Sequence, residues 1–289
     1  MRAPLIVALL ATSLATAVAA APTQVSAVNM PAWLERNGQM RPLAVGINLQ
    51  ASDVVHTGNG ARVLLTLPEG SQFKLGEDAV FRVNTLNASD GRKTAFRATV
   101  DVLKGAFRFT TGLASKLRQR EVDIKVATIT AGIRGTDIWG KSDAEKDLVC
   151  LLEGSIAVEH EGEAGFITMD QPLDFYVAPK GKPALPVAKV DPNKVANEWA
   201  PQTEPQAGTG LSQAQGRWRL VVAVAGNQAE ALQWYDNLRE AGYPAKIRPM
   251  VEGKFRVSLE QLASETDARA LGERLKAQLN TPTISTMRM

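Results

Sequence analysis

Side chains able to do chemistry are scarce in this sequence, and each scarcity removes a class of function. There is one cysteine, Cys150, so no internal disulfide can form, and its setting Leu148-Val149-Cys150-Leu151-Leu152 reads as that of a buried structural thiol. The only two histidines, His56 and His160, have no cysteine near them, so the zinc-ligand spacings are missing. Serine nucleophile elbows, glycine loops that cradle phosphate and helix-borne histidine pairs flanking a glutamate are also missing. Glu159, Glu161 and Glu163 read as a charged hairpin tip, because paired carboxylates need a cleft and separated pKa values to act as acid and base. A net charge of +3 with no lysine/arginine stripe gives nucleic acid nothing to follow. These residues give no basis for an enzyme, a metal site or a cofactor.

Long apolar runs are missing as well, with one exception. Arg2 precedes the run 5–20, which ends in Ala17-Val18-Ala19-Ala20-Ala21. A charged start, a short apolar core and a small-residue finish predict a secretory signal peptide over residues 1–20. The alternative is an uncleaved anchor, for which 16 residues fall short of the ~20 that span a bilayer. No cysteine stands near the cleavage region for lipid attachment. The expectation is an exported protein, with no integral membrane segment after signal cleavage.

Three textures follow. Residues 25–178 carry the punctuation of β structure: Asn37-Gly38, Gly58-Asn59-Gly60, Pro68-Glu69-Gly70, Asp90-Gly91 and Glu153-Gly154 separate short runs such as 62–67, 79–83 and 106–109, and the rhythm continues over 122–130 and 155–158. Strands at this spacing predict an all-β sandwich or solenoid. Residues 179–216 are rich in proline and polar residues and read as an extended, semi-stiff tether, with Trp199 either docked on a neighbour or exposed. Residues 217–289 contain one pattern twice, 37 residues apart: Trp218-Arg219-Leu220-Val221-Val222 returns as Phe255-Arg256-Val257-Ser258-Leu259. Each run precedes a helical stripe, Ala231/Trp234/Tyr235/Leu238 and then Ala268/Leu271/Gly272/Leu275. The order is strand 217–226, helix 228–241, strand 243–251, strand 254–262, helix 265–279 and strand 282–288, a ferredoxin-like split β-α-β unit. Its helices cover one sheet face. The other face stays open, carrying Arg219, Val221 and Ala223 beside Arg256, Ser258 and Glu260.

Two resemblances rest on these residues. Trp218 to Ala225, Ala231, Leu238, Gly242-Tyr243-Pro244-Ala245, Phe255-Arg256-Val257 and the helix 268–275 make 217–289 resemble the SPOR domain. That family is associated with peptidoglycan glycan strands stripped of their stem peptides. The likeness has departures: the family usually has Gln at Val221, Gly at Ala223 and Glu260, and an aromatic at Ala225, with Leu262 in the matching position of the second half. The motifs Asp53-Val54-Val55-His56-Thr57-Gly58, Leu103-Lys104-Gly105-Ala106-Phe107, Ala131-Gly132-Ile133-Arg134-Gly135-Thr136-Asp137-Ile138 and Leu152-Glu153-Gly154-Ser155-Ile156 make the β region resemble the FecR domain. Iron-uptake FecR proteins signal through a cytoplasmic segment and a spanning helix, and this sequence shows neither. The resemblance implies a periplasmic β module of recognition or scaffold type.

Together these readings predict a non-catalytic periplasmic protein of a Gram-negative type envelope. Peptidoglycan glycan strands are its expected partner, held at Arg219, Val221, Arg256, Ser258 and Glu260. The alternative is a signalling or assembly scaffold that binds an envelope protein through the β domain, with a SPOR-like unit that has lost the glycan.

Overall fold

The computed structural model describes residues 22–87, 96–112, 120–133, 135–281 and 285–289. The expected signal peptide and Arg134 lie outside the described residues. Alternating apolar and polar positions fold as β1 (Gln24–Asn29), β2 (Ala32–Arg36), β3 (Gln39–Pro42), β4 (Val54–Thr57), β5 (Arg62–Thr66), β6 (Gln72–Leu75), β7 (Val80–Asn87) and β8 (Phe96–Thr110). Then come β9 (Arg120–Val126), β10 (Ile129–Ile133), β11 (Asp137–Ser142), β12 (Lys146–Glu153), β13 (Ile156–His160), β14 (Ile167–Met169) and β15 (Asp174–Pro179). The apolar run 122–130 is broken by a hairpin turn at Ala127, whose φ is +47°, so it forms parts of two strands.

Two sheets result, and β8 belongs to both. Its first half pairs antiparallel with β7 and parallel with β9, in the order β3–β2–β4–β7–β8–β9–β10–β13–β14. Its second half pairs with β6 and β11 in the other sheet, which runs β15–β12–β11–β8–β6–β5–β1. The inward residues of the two sheets, among them Val63, Leu65, Phe73, Leu75, Phe81, Val83, Phe107, Phe109, Ile129, Val149 and Leu151, form one buried cluster. Phe73 packs on Phe109 at 4.7 Å within its own sheet and on Phe81 of the facing sheet at 5.1 Å. The β unit is therefore a sandwich. Burying each such side chain contributes roughly 1.5–3 kcal/mol, so the sheet-to-sheet contact outweighs any single turn.

The C-terminal unit follows the repeat. It comprises β18 (Trp218–Ala225), α2 (Gln228–Glu240), β19 (Lys246–Pro249), β20 (Phe255–Leu262), α3 (Glu265–Leu279) and β21 (Ser285–Arg288), with strand order β19–β20–β18–β21. Ala231, Leu238, Ala268, Leu271 and Leu275 of the helices bury against Leu220, Val222, Val257 and Leu259. Asn227 and Ser264 cap the helix starts, each accepting a hydrogen bond from the backbone N–H three residues on. Gly242 ends α2 with φ +84°, and a Cβ there would meet the Trp33 ring at 2.7 Å, so this glycine also lets the two units touch.

Residues 179–216 do not form the extended tether that their prolines suggest. They carry β16 (Ala188–Lys189) on β15, a single turn α1 (Pro192–Lys194), a π-helical turn Val195–Trp199, a 3-10 turn Ala200–Gln202 and β17 (Leu211–Gln213) on β1. Pro192 stands at the start of a helical turn and Pro201 in the 3-10 turn, where a missing N–H costs nothing. Val190, Val195 and Trp199 supply enough apolar surface to hold the segment down, and Trp199 stacks on Trp139 at 4.8 Å.

The end of this strap joins the two units. The buried carboxylate of Asp267, at the start of α3, accepts the backbone N–H groups of Gly208 (2.7 Å), Gly210 (3.1 Å) and Leu211 (2.9 Å). Its second oxygen accepts from Ser264 Oγ at 2.5 Å. β17 then pairs with β1 on one side and touches β20 on the other, at Ser212 opposite Leu262. Trp33 Nε1 donates to Glu240 O at 3.2 Å, and Arg274 reaches Met30 O at 2.9 Å and also Thr209 O. One continuous core cluster contains residues of both units.

The bend in β8 generates a prediction. Gly105 has φ +90°, and a Cβ there would fall 2.5 Å from Ala79 Cα, whereas Gly60, with φ +67°, has open space around it. Gly60→Ala should cost only the backbone penalty of about 1–2 kcal/mol, and Gly105→Ala at least about 2 kcal/mol more through the backbone clash. Thermal unfolding of both variants checks this. Equal losses would mean that the bend does not depend on close approach.

Candidate functional site

The helix-free face of the C-terminal sheet is set by register. Directly opposite residues share a face: Val221 with Ser258 and Ser285, Lys246 with Ser258, Arg248 with Arg256, Val224 with Arg256, and Arg219 with Met287. β18 has an irregularity between Val221 and Ala223, so Ala223 stands opposite Val257 and enters the core. Strict alternation assigns Ala223 to the open face. The bulge moves it inside and brings Val224, 44% exposed, out in its place.

Glu260 is the electrostatic centre of this face. Its side chain is 7% exposed, and Arg219 Nη2 (2.9 Å), Lys246 Nζ (2.9 Å) and Arg248 Nε (3.8 Å) surround it. Burial pushes the Glu260 carboxyl up, but the hydrogen bonds and charges of Lys246 and Arg219 outweigh this and hold it below the usual carboxylate range. With Arg256 the face presents four cations around one carboxylate. Arg219 is spent on Glu260 and half-buried, whereas Lys246 and Arg248 are more than half exposed.

The expected site residues therefore divide. Arg219 and Glu260 form an internal ion pair, and Val221 and Ser258 are buried in the floor. Arg256 is half-buried, its Nη1 4.0 Å from Met287 Sδ. Two floor atoms, Arg256 Nε and Ser258 Oγ, are buried without a hydrogen-bond partner. Such groups call for a water or a ligand oxygen. Lys246 and Arg248 were missed in the sequence, although they alternate around Ile247 in the second strand and so declare a shared face. Ala225 and Leu262, the positions matching the family's aromatics, are fully buried. The open face thus offers aliphatic and thioether surface at Val224 and Met287 instead of a ring.

Several charged groups elsewhere have structural partners. His56 lies in β4, and its Nε2 is 3.1 Å from Glu35 Oε2. Glu161 pairs with Lys125 at 2.5 Å, and Glu163 accepts from Ala184 N at 3.0 Å. Asp147, fully buried, takes Lys180 Nζ at 2.6 and 2.8 Å. Among the described residues no group of three His, Cys, Asp or Glu side chains could hold a metal ion, and no helix is long and apolar enough to cross a membrane.

Comparison with known families agrees with this division of the chain. The FecR protein model matches residues 53–157 and the SPOR domain model matches residues 214–286, so the chain carries a FecR domain and a SPOR domain. Both are non-catalytic families, and SPOR domains are associated with peptidoglycan and the cell envelope. Two crystal structures, each described as a candidate anti-sigma factor from Parabacteroides distasonis ATCC 8503, overlap the fold loosely. One is 14% identical and covers 78% of this chain and 91% of its own, with a TM-score of 0.41. The other is 13% identical and covers 82% and 99%, with a TM-score of 0.40. No curated protein matches the chain.

The Glu260 cluster makes stability pH-dependent. A folded pKa below the unfolded one means that the contribution is fully present above the ordinary carboxylate range and is lost as pH falls through the folded value. Thermal unfolding of wild type and Glu260→Gln between about pH 7 and pH 3 should show the variant less stable at neutral pH. The gap should close as the pH drops below the carboxylate range. A gap that is constant with pH would contradict the ion-pair assignment.

Proposed function

We propose that this chain is a non-catalytic periplasmic protein that binds peptidoglycan glycan on the helix-free face of its SPOR domain and so presents its FecR-domain sandwich at the cell wall. The SPOR match at 214–286 carries this reading. The character of the face supports it: exposed Lys246 and Arg248, half-buried Arg256, and the orphaned Arg256 Nε and Ser258 Oγ below. Hydrolysing the amide that links a stem peptide to the sugar leaves a carboxylate. A glycan stripped of peptides therefore offers hydroxyls for the orphaned floor groups and carboxylates for the exposed cations. No group on the face is arranged for acid–base work, since its one carboxylate is held ionised by three cations.

Among the described residues this face shows no exposed ring, which favours a second reading. With Ala225 and Leu262 in the core, these residues give sugar stacking no platform. The alternative is an envelope scaffold or signalling protein whose FecR domain binds a protein partner and whose SPOR domain is architectural.

Co-sedimentation of the full chain with sacculi, before and after amidase treatment, separates the two. Glycan binding predicts pelleting that rises on the stripped sacculi, weakens with added salt, and falls roughly tenfold in Arg248→Ala/Arg256→Ala, a loss of about 1.4 kcal/mol. Absence of pelleting on both preparations would overturn the glycan reading and leave the scaffold reading standing.

A further inference from the structure

The outer face of the sandwich carries a strip that the proposed function does not use. Lys74, Arg108, Trp139, Cys150 and Phe175 stand directly opposite one another across β6, β8, β11, β12 and β15. The row runs perpendicular to the strands for about 19 Å, at ~4.8 Å per strand. The strap crosses it in the opposite sense. Val190 and Val195 pack around Cys150, Trp199 stacks on Trp139 with an interplanar angle of 12° and meets Phe175 edge-on at 6.4 Å. Glu204 reaches Lys74 at 2.7 and 2.8 Å and Arg108 at 3.0 Å, and Arg108 is held in turn by both oxygens of Asp137. The strap thus reads, from end to end, an aliphatic pair, an aromatic and an acid.

The way the strap is held differs from the rest of the fold. Among the described residues, no main-chain hydrogen bond joins 191–203 to the sheet; the bonds of this segment are internal, such as Lys194 N and Val195 N to Asp191 O and Thr203 N to Ala200 O. Side chains alone attach it. Its middle is a π-helical turn, a rare conformation that is common at functional positions. Trp139 Nε1, covered by the stack, is buried without an acceptor, a cost that lifting the strap would relieve. Both ends are firmly fixed, by Lys180 on Asp147 and β16 on β15 at one side and by the Asn29–Gln206 pair and β17 at the other. A segment fixed at its ends and held by side chains between them is a local opening unit.

We propose that residues 191–204 are a releasable latch over a docking strip on the FecR domain, hinged at Val190, whose N–H donates to Leu173 O at 3.0 Å. The latch lifts while both sheets stay folded, and the strip beneath accepts a peptide segment with the latch's own chemistry: aliphatic residues, then an aromatic side chain on Trp139, then a carboxylate on Lys74 and Arg108. The proposal does not rest on glycan binding, so failure of sacculus pelleting leaves it untouched.

Cys150 makes the test unambiguous, because it is the only cysteine and it lies fully buried under the latch. Burial, with a smaller contribution from the Asp174 charge, pushes its thiol up to about 12, so a thiol reagent reacts only with the opened form. The full chain is labelled with a maleimide across a denaturant series, alongside Trp199→Ala and Glu204→Gln. The expected results are native-state labelling faster than global unfolding and nearly independent of denaturant, with an acceleration of about tenfold or more in Trp199→Ala, where the stack and its area are lost. Glu204→Gln, which spares the stack, should accelerate labelling more modestly. A synthetic peptide of residues 190–206, added in excess, should slow labelling of Trp199→Ala again. Wild-type labelling that follows global unfolding with the same denaturant dependence would overturn the latch. Failure of the peptide to protect the opened variant would overturn the docking strip. Should Trp199→Ala not fold, the same peptide test on Glu204→Gln decides the matter.

Discussion

Everything in the arrangement of this protein depends on one buried carboxylate. Asp267 gathers three backbone N–H groups of a turning segment, 208–211, into a single acceptor at the start of a helix. Buried main-chain donors must be paired, and here the partner comes from the other unit of the chain. The consequence is that β17 is placed between β1 of the sandwich and β20 of the SPOR sheet, so the edge of one sheet is covered by the approach to the other. Gly242 under Trp33 and Arg274 on Met30 O extend the same joint across the helices. The proline-rich segment thus connects the units without separating them. A wall-binding face on this chain would carry the sandwich at a fixed angle rather than on a flexible lead.

The same economy governs the SPOR face. A four-stranded sheet with two helices buries one side and must leave the other to solvent or to a ligand. On this chain the free side is organised from below: Glu260 fixes Arg219 and draws Lys246 and Arg248 together, and Arg256 projects among them. Without Glu260 the cations would repel one another. With it they form a cationic surface over a floor containing two unpaired polar atoms. That combination of charge, fixed geometry and unmet hydrogen bonding is what makes the face a candidate site.

Much of this was legible from the residues. The 37-residue repeat placed all six elements of the SPOR unit, because apolar periodicity survives in each copy. The all-β character of the sandwich followed from turn residues and alternation. What escaped lies where local pattern is overruled. A bulge at 221–223 shifts one strand by a residue and sends Ala223 inward, which no alternation rule can foresee. The run 122–130 turns at an alanine with positive φ, a conformation for which the sequence carries no signal. Prolines at 179–216 excluded ladder positions but said nothing about Trp199 finding Trp139, sixty residues earlier in the chain. Long-range stacking and bulges are decided by tertiary context, and a single sequence records them only faintly.

The sandwich and the SPOR domain form one body joined at Asp267. The most direct measurement is backbone NMR relaxation across residues 22–289, comparing rotational correlation times for amides of the two units. The account predicts a single common value, with the amides of Gly208, Gly210 and Leu211 as ordered as the strands. Two distinct, shorter correlation times, with disordered amides between them, would show a free tether and contradict it.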